Sequence, residues 1–189
     1  MIESFYDQTF ENIDYSQDVF PEGEYESCTF KNCLFNAVNL SHRVFMECEF
    51  VDCDFSGVKL GDTAFKDVKF VGCKLQGVDF SSCNPFLLEM NFEKCLMNLT
   101  SFYQLKLKGT TFKSCTLEEA DFVEADLTES KFLDCKLTKA QFDNTNLEKA
   151  DLRTALHFSI NPLNNKIAKA RFSRDGLIGL LDTFDIRVD

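Results

Sequence analysis

The chain has 189 residues, with 31 acidic against 20 basic, a net charge of −11 and 44 % hydrophobic residues. That hydrophobic content excludes a disordered chain, and the acidic balance excludes a basic nucleic-acid-binding domain. With 3 Pro and 8 Gly it is neither collagen-like nor a linker. No stretch approaches the roughly 18 consecutive apolar residues of a membrane helix. Met1-Ile2-Glu3-Ser4-Phe5-Tyr6-Asp7 has no basic n-region and no apolar h-region, so no secretory signal, no membrane and a cytoplasmic location are expected.

From Phe5 a large apolar residue falls at every fifth position: Phe5, Phe10, Tyr15, Phe20, Tyr25, Phe30 and onward to Phe80. The register slips by two at Asn84-Pro85-Phe86 and resumes as Leu87, Phe92, Met97, Phe102 and onward to Leu152. A helix repeats at about 3.6 residues and a strand at 2, so neither explains the pattern. Two residues before each large residue stands a small one, as in Ala120-Asp121-Phe122-Val123-Glu124 and Ala125-Asp126-Leu127-Thr128-Glu129. The unit is small–polar–large–polar–polar.

This unit resembles that of the pentapeptide-repeat family, A(D/N)LxX, over residues 5–152. The resemblance implies an all-β, right-handed quadrilateral β-helix of about seven to eight coils, four units per coil, with the small and large residues pointing inward. The expected organisation is a β-helix over 1–155, with the slip at 84–86, and a C-terminal cap over 156–189. If twenty residues complete a coil, residues twenty apart stack: Leu87, Leu107, Leu127 and Leu147 in one column, Phe102, Phe122 and Phe142 in another. Like on like fills a narrow core without voids, and stability comes from neighbour-on-neighbour stacking.

All nine cysteines (Cys28, Cys33, Cys48, Cys53, Cys73, Cys83, Cys95, Cys115 and Cys135) occupy the small inward position, and none forms a C-x-x-C pair. Core packing, with Cys33, Cys53 and Cys73 in one column and Cys95, Cys115 and Cys135 in another, is expected in place of a metal or redox site. The odd count favours a reducing compartment. His42 and His157 stand far apart in solvated or turn positions. The chain carries no G-x-S-x-G, Gly-rich phosphate loop or H-E-x-x-H, so neither an enzyme nor a cofactor is expected.

The acidic surplus is uneven. Residues 1–30 hold eight acids and no Lys or Arg, and residues 153–189 are net positive. Asp7, Glu47 and Asp67 share a column, with Ser27 between; with Asp121, Glu124 and Asp126 they are the candidate acidic surface. The columns also expect compensating pairs: Glu49 with Lys69, Lys59 with Asp79, Glu119 with Lys139 and Glu129 with Lys149.

After Leu152 the rhythm fades into the turn Asn161-Pro162-Leu163-Asn164-Asn165, then one last unit, Ala170-Arg171-Phe172. Leu177, Ile178, Leu180, Leu181 and Phe184 follow helical spacing, predicting a helix near 174–183. Asp185-Ile186-Arg187-Val188-Asp189 alternates like a short strand. This ending is similar in pattern to that of the Qnr and MfpA quinolone-resistance proteins. That resemblance implies a homodimer through Leu177, Ile178, Leu180, Leu181, Phe184, Ile186 and Val188. It also implies a DNA-like acidic rod that binds DNA gyrase or topoisomerase IV and modulates quinolone sensitivity, without binding nucleic acid itself. The projecting loops of Gram-negative Qnr proteins have no counterpart here. The alternative is a repeat scaffold or regulator of an unrelated protein partner.

Overall fold

A computed structural model describes residues 3–17, 19–184 and 186. The chain winds as a four-sided parallel β-solenoid. Its first side is the ladder β1 (Glu3–Tyr6), β3 (Gly23–Glu26), β5 (Val44–Met46) and β7 (Ala64–Lys66). The second side carries β2 (Thr9–Glu11), β4 (Thr29–Lys31), β6 (Glu49–Val51), β8 (Val68–Val71), β9 (Met90–Glu93), β10 (Thr111–Lys113) and β11 (Lys131–Leu133) in one seven-stranded sheet. The third side is a file of single bridges through Asp14, Leu34, Asp54, Lys74, Leu96, Thr116, Lys136 and Leu156. On the fourth side Asp79, Ser101, Asp121 and Gln141 bridge in turn. The eight levels of the third side span about 34 Å at the usual strand spacing of about 4.8 Å.

The five-residue unit makes this shape through two local devices. The polar residue before each large one accepts from the amide two positions on: Asp54 Oδ1 from Ser56 N at 2.8 Å, Asp121 Oδ1 from Val123 N at 2.9 Å and Asp126 Oδ1 from Thr128 N at 3.0 Å. These Asx turns give the repeat's preference for Asp or Asn its cause. The last residue of the unit then takes a left-handed conformation, as at His42 (φ 64°), Asp67 (φ 52°) and Glu124 (φ 57°), and turns the corner. His42 is exposed at such a corner; His157 is also exposed and left-handed (φ 59°), but it stands at the third position of its unit, after Ala155-Leu156, and Phe158 is buried next to it.

Through the body of the rod, from Phe30 to Phe142, inward rings lie flat on the ring one coil away and edge-on to the ring of a neighbouring side. Phe102 and Phe122 stack at 5.1 Å and 4°, Phe122 and Phe142 at 5.2 Å and 11°, while Phe122 meets Phe132 at 5.7 Å and 89°. Both geometries are favourable for aromatic pairs.

The small inward residue has a second task. Cys28, Cys33, Cys48, Cys53, Cys73 and Cys135 each donate S–H to the carbonyl 23 residues earlier, on the coil beneath; Cys73, for example, reaches Phe50 O at 3.3 Å. Thr63 and Thr145 make the same bond through Oγ1, both at 2.8 Å. Arg43 occupies this position too. Its guanidinium donates to Ser41 O at 2.8 Å and Phe20 O at 3.1 Å, tying the first irregular corner to the rod.

The slip at 84–86 is a bulge that changes the offset between coils from 20 to 22, so that Val68 pairs Met90 and Phe70 pairs Phe92. Two expectations change with it. Leu87 does not point inward: it is a left-handed corner (φ 55°), 65 % exposed, and Leu88 packs on the core in its place. Asn84 explains the shift. Its amide donates to Asp62 Oδ1 at 2.8 Å and its oxygen accepts from Phe86 N at 2.9 Å, which holds the chain out past the corner. The same offset joins the cysteines into one column of six, not two of three, since Leu96 N bonds Cys73 O across the slip. All nine cysteines are buried and unbridged.

The coil pattern continues beyond Leu152, through Asn146 with Lys166 and Asp151 with Arg171, and Phe172 packs on the core. The C-terminal helix differs from its expected form. It is a 3-10 helix over Asp175–Leu180 and not an α-helix to 183. Gly179 gives the reason: it lies so close to Phe158 that a Cβ there would meet Phe158 O at 2.2 Å. The tight last turn sits on Phe158, and Gly179 O accepts from Ile160 N at 2.8 Å. Of the segment 185–189 only Ile186 is among the described residues, so the expected strand, with Val188, lies outside them.

Candidate protein-interaction surfaces

Asp7, Glu47 and Asp67 occupy left-handed corners of one file between the first and second sides, with Ser27 at the corner between Asp7 and Glu47. Glu89 joins them through the 22-residue offset, since Val68 N bonds Glu89 O. Sequence reasoning missed Glu89; adding the two slipped residues to the coil length would have found it. All four are exposed, and among the described residues none forms an ion pair. Ser27, between the first two, donates its hydroxyl to Glu47 Oε2 at 3.4 Å.

Asp121, Glu124 and Asp126 are not part of this file. They lie higher on the rod, Asp121 on the fourth side, Glu124 at the corner after it and Asp126 in the next column, with Lys106 and Asn146, and are locally engaged. Asp121 and Asp126 accept from their turn amides, and Glu124 accepts from Gln104 Nε2 at 2.7 Å. Elsewhere ion pairs between stacked coils neutralise the surface. Lys69 meets Glu49 at 3.2 Å, Lys139 meets Glu119 at 3.8 Å and Lys149 meets Glu129 at 2.8 Å, as the columns expect. Lys59 and Asp79 do not pair; the Asp79 carboxylate instead accepts from Ser81 N at 3.0 Å.

The C-terminal residues Leu177, Ile178, Leu181, Phe184 and Ile186 are exposed, while Leu180 packs partly on the core. Between them and the last coil opens a cavity of about 650 Å³, walled by Leu156, Phe158, Ile178 and Gly179. Among the described residues no group of three or more His, Cys, Asp or Glu is placed to hold a metal ion, and no helix is long and apolar enough to cross a membrane. Burial pushes the Cys48 thiol up to about 12 and Cys73 well above the usual thiol value. Such thiols stay protonated and serve as donors to the carbonyls beneath them.

Two family models match the chain. One, the pentapeptide repeat region, covers residues 23–86 and 43–122; the other, pentapeptide repeats in eight copies, covers 106–140 and 120–156. The chain belongs to the pentapeptide-repeat family. Among solved structures, a trypsin-treated variant of QnrB1, a plasmid-mediated fluoroquinolone resistance protein, matches at a TM-score of 0.64 with 15 % identity over 99 % of this chain and 100 % of that one. Full-length QnrB1 matches at 0.53 with 16 % identity over 97 % and 100 %. HetL, a pentapeptide-repeat protein involved in heterocyst differentiation regulation from the cyanobacterium Nostoc sp. strain PCC 7120, aligns at 0.41 with 16 % identity over 91 % and 88 %. No curated protein matches the chain in sequence. At these identities the likeness to QnrB1 is one of fold.

Proposed function

We propose that this pentapeptide-repeat protein is a non-catalytic cytoplasmic rod that binds a type II topoisomerase, DNA gyrase or topoisomerase IV, and alters its response to quinolones. The observation that carries this reading is the file of unpaired carboxylates Asp7, Glu47, Asp67 and Glu89 along one corner. Glu47, Asp67 and Glu89 stand on consecutive levels, a charge every ~4.8 Å, with Ser27 at the level between Asp7 and Glu47, against one per ~3.4 Å along a single DNA strand. The corner thus imitates a stretch of one phosphate backbone more nearly than a whole duplex. The fold shared with QnrB1, a fluoroquinolone resistance protein, supports the choice of partner. A second copy covers the exposed C-terminal residues Leu177, Ile178, Leu181 and Phe184, making a dimer.

A supercoiling assay, titrating the protein into gyrase with and without a fluoroquinolone, tests this. Relief of drug inhibition is the expected result, weakened in a Glu47→Lys, Asp67→Lys variant. Inhibition without relief would leave a DNA mimic that does not protect. No effect in either arm would overturn the reading and favour a scaffold for an unrelated protein. That second reading draws support from the compensated pairs above the slip, such as Lys113 with Glu93 at 3.0 Å and Lys149 with Glu129 at 2.8 Å, which break the acidic surface along the rod.

A further inference from the structure

Large apolar side chains that break the five-residue register cluster in one coil. Phe86 (69 % exposed), Leu87, Leu96, Leu99 (55 %) and Tyr103 are all solvent-exposed within eighteen consecutive residues. The register places them as an arc. Leu96 lies on the third side, above Lys74, and Leu99 turns the corner into the fourth side. Tyr103 follows on the fourth side, where Phe102 stacks on Phe80. The bulge Phe86-Leu87, held out by Asn84, closes the arc at the next corner. Leu87 and Leu99 are also the large apolar residues among the non-glycine left-handed corners, which are otherwise mostly polar or charged.

Along the fourth side of this arc the charge has one sign, while Lys74 lies beneath Leu96 on the third side. Segments 75–83, 97–105 and 117–125 stack on one another across the fourth side, as Asp79, Ser101 and Asp121 bridge in turn. Together they carry Asp79, Glu118, Glu119, Asp121 and Glu124 and no Lys or Arg. Apolar belts of this kind mark docking sites, and an acidic border selects a basic partner.

We infer that the coil at the register slip is a second docking surface, which takes an amphipathic helix with an apolar stripe and Lys or Arg flanks. The stripe lies on Phe86, Leu99 and Tyr103, and the flanks face the carboxylates of the levels above and below. The surface is separate from the Asp7–Glu47–Asp67 corner and does not depend on topoisomerase binding.

The probe is a fluorescent Leu/Lys amphipathic helical peptide of about 18 residues, five turns, with a same-composition scramble that lacks the stripe. Anisotropy on the full chain is expected to show binding of the first and not the second. A Phe86→Ser, Leu99→Ser variant should weaken it at least about tenfold, and both sites are exposed, so folding is retained. A Leu34→Ser, Leu163→Ser variant, which removes exposed apolar residues elsewhere, should stay within about twofold. Equal binding of the scramble, or equal loss in both variants, would overturn the proposal. So would light scattering in which Phe86→Ser, Leu99→Ser alone breaks a self-associated species, since a second copy would then cover the belt. Persistence of peptide binding after Glu47→Lys, Asp67→Lys separates this surface from the acidic corner.

Discussion

Phe122 shows how a single residue carries the rod. Its ring is fully buried, stacks on Phe102 below and Phe142 above, and meets Phe112 and Phe132 edge-on. Phe122→Ala should therefore cost roughly 3–5 kcal/mol, through lost burial and the cavity left behind, read as a lowered urea midpoint. Phe86→Ala, at a ring 69 % exposed, should change stability by no more than about 0.5 kcal/mol. Equal effects would place Phe122 outside the core. The cysteines belong to the same scale. Their spacing marks them in the sequence as small inward residues, but their S–H bonds to carbonyls 23 residues earlier come from the coil beneath and have no trace in local sequence.

At the scale of the coil, ion pairs tie neighbouring levels and titrate together with the fold. Arg153, bonded to Asp151 at 2.7 Å, holds that carboxyl below the usual carboxylate range, with Arg171 of the next coil adding at 3.6 Å. A carboxyl lowered in the folded state contributes stability that is fully present above its unfolded value of about 3.9 and is lost as pH falls through the folded value. The melting temperature should thus drop on acidification below about pH 4, and drop less in Asp151→Asn, which keeps the turn oxygen that accepts from Arg153 N. An identical acid response in the variant would remove Asp151 from the account. Of the expected pairs, Lys59 with Asp79 does not form, although Asp54 and Asp151 accept from their own turn amides and still pair with a base on the next coil; column spacing sets proximity and does not by itself make the pair.

For the whole molecule, the proposed dimer rests on the exposed C-terminal apolar residues. Leu181→Asp, at a residue 36 % exposed, should give a soluble monomer with an unchanged melting temperature, because a charge in a covered apolar contact is costly while one in water is not. Leu180→Asp, partly packed on the core, should instead loosen the cap itself. Light scattering that finds the unaltered chain monomeric would sink the dimer. The rod's polarity is a property of the same scale: its first thirty residues hold eight acids without a base, and its last coils are net positive.

The five-residue spacing of Phe5 to Leu152, through the family resemblance it carries, gave the coil and the inward set, and the twenty-residue coil then gave the stacking of like on like, because a core one side chain wide leaves each unit no other place for its large residue. The acids at Asp7, Glu47 and Asp67 were legible for the same reason. Events at the slip were not. Whether Leu87 or Leu88 turns inward depends on Asn84 reaching Asp62 on the coil beneath, and that contact in turn sets which cysteines align and brings Glu89 over Asp67. The cap was likewise settled by tertiary packing: Leu177 to Phe184 have helical spacing, but Gly179 pressed against Phe158 tightens the turn to a 3-10 helix.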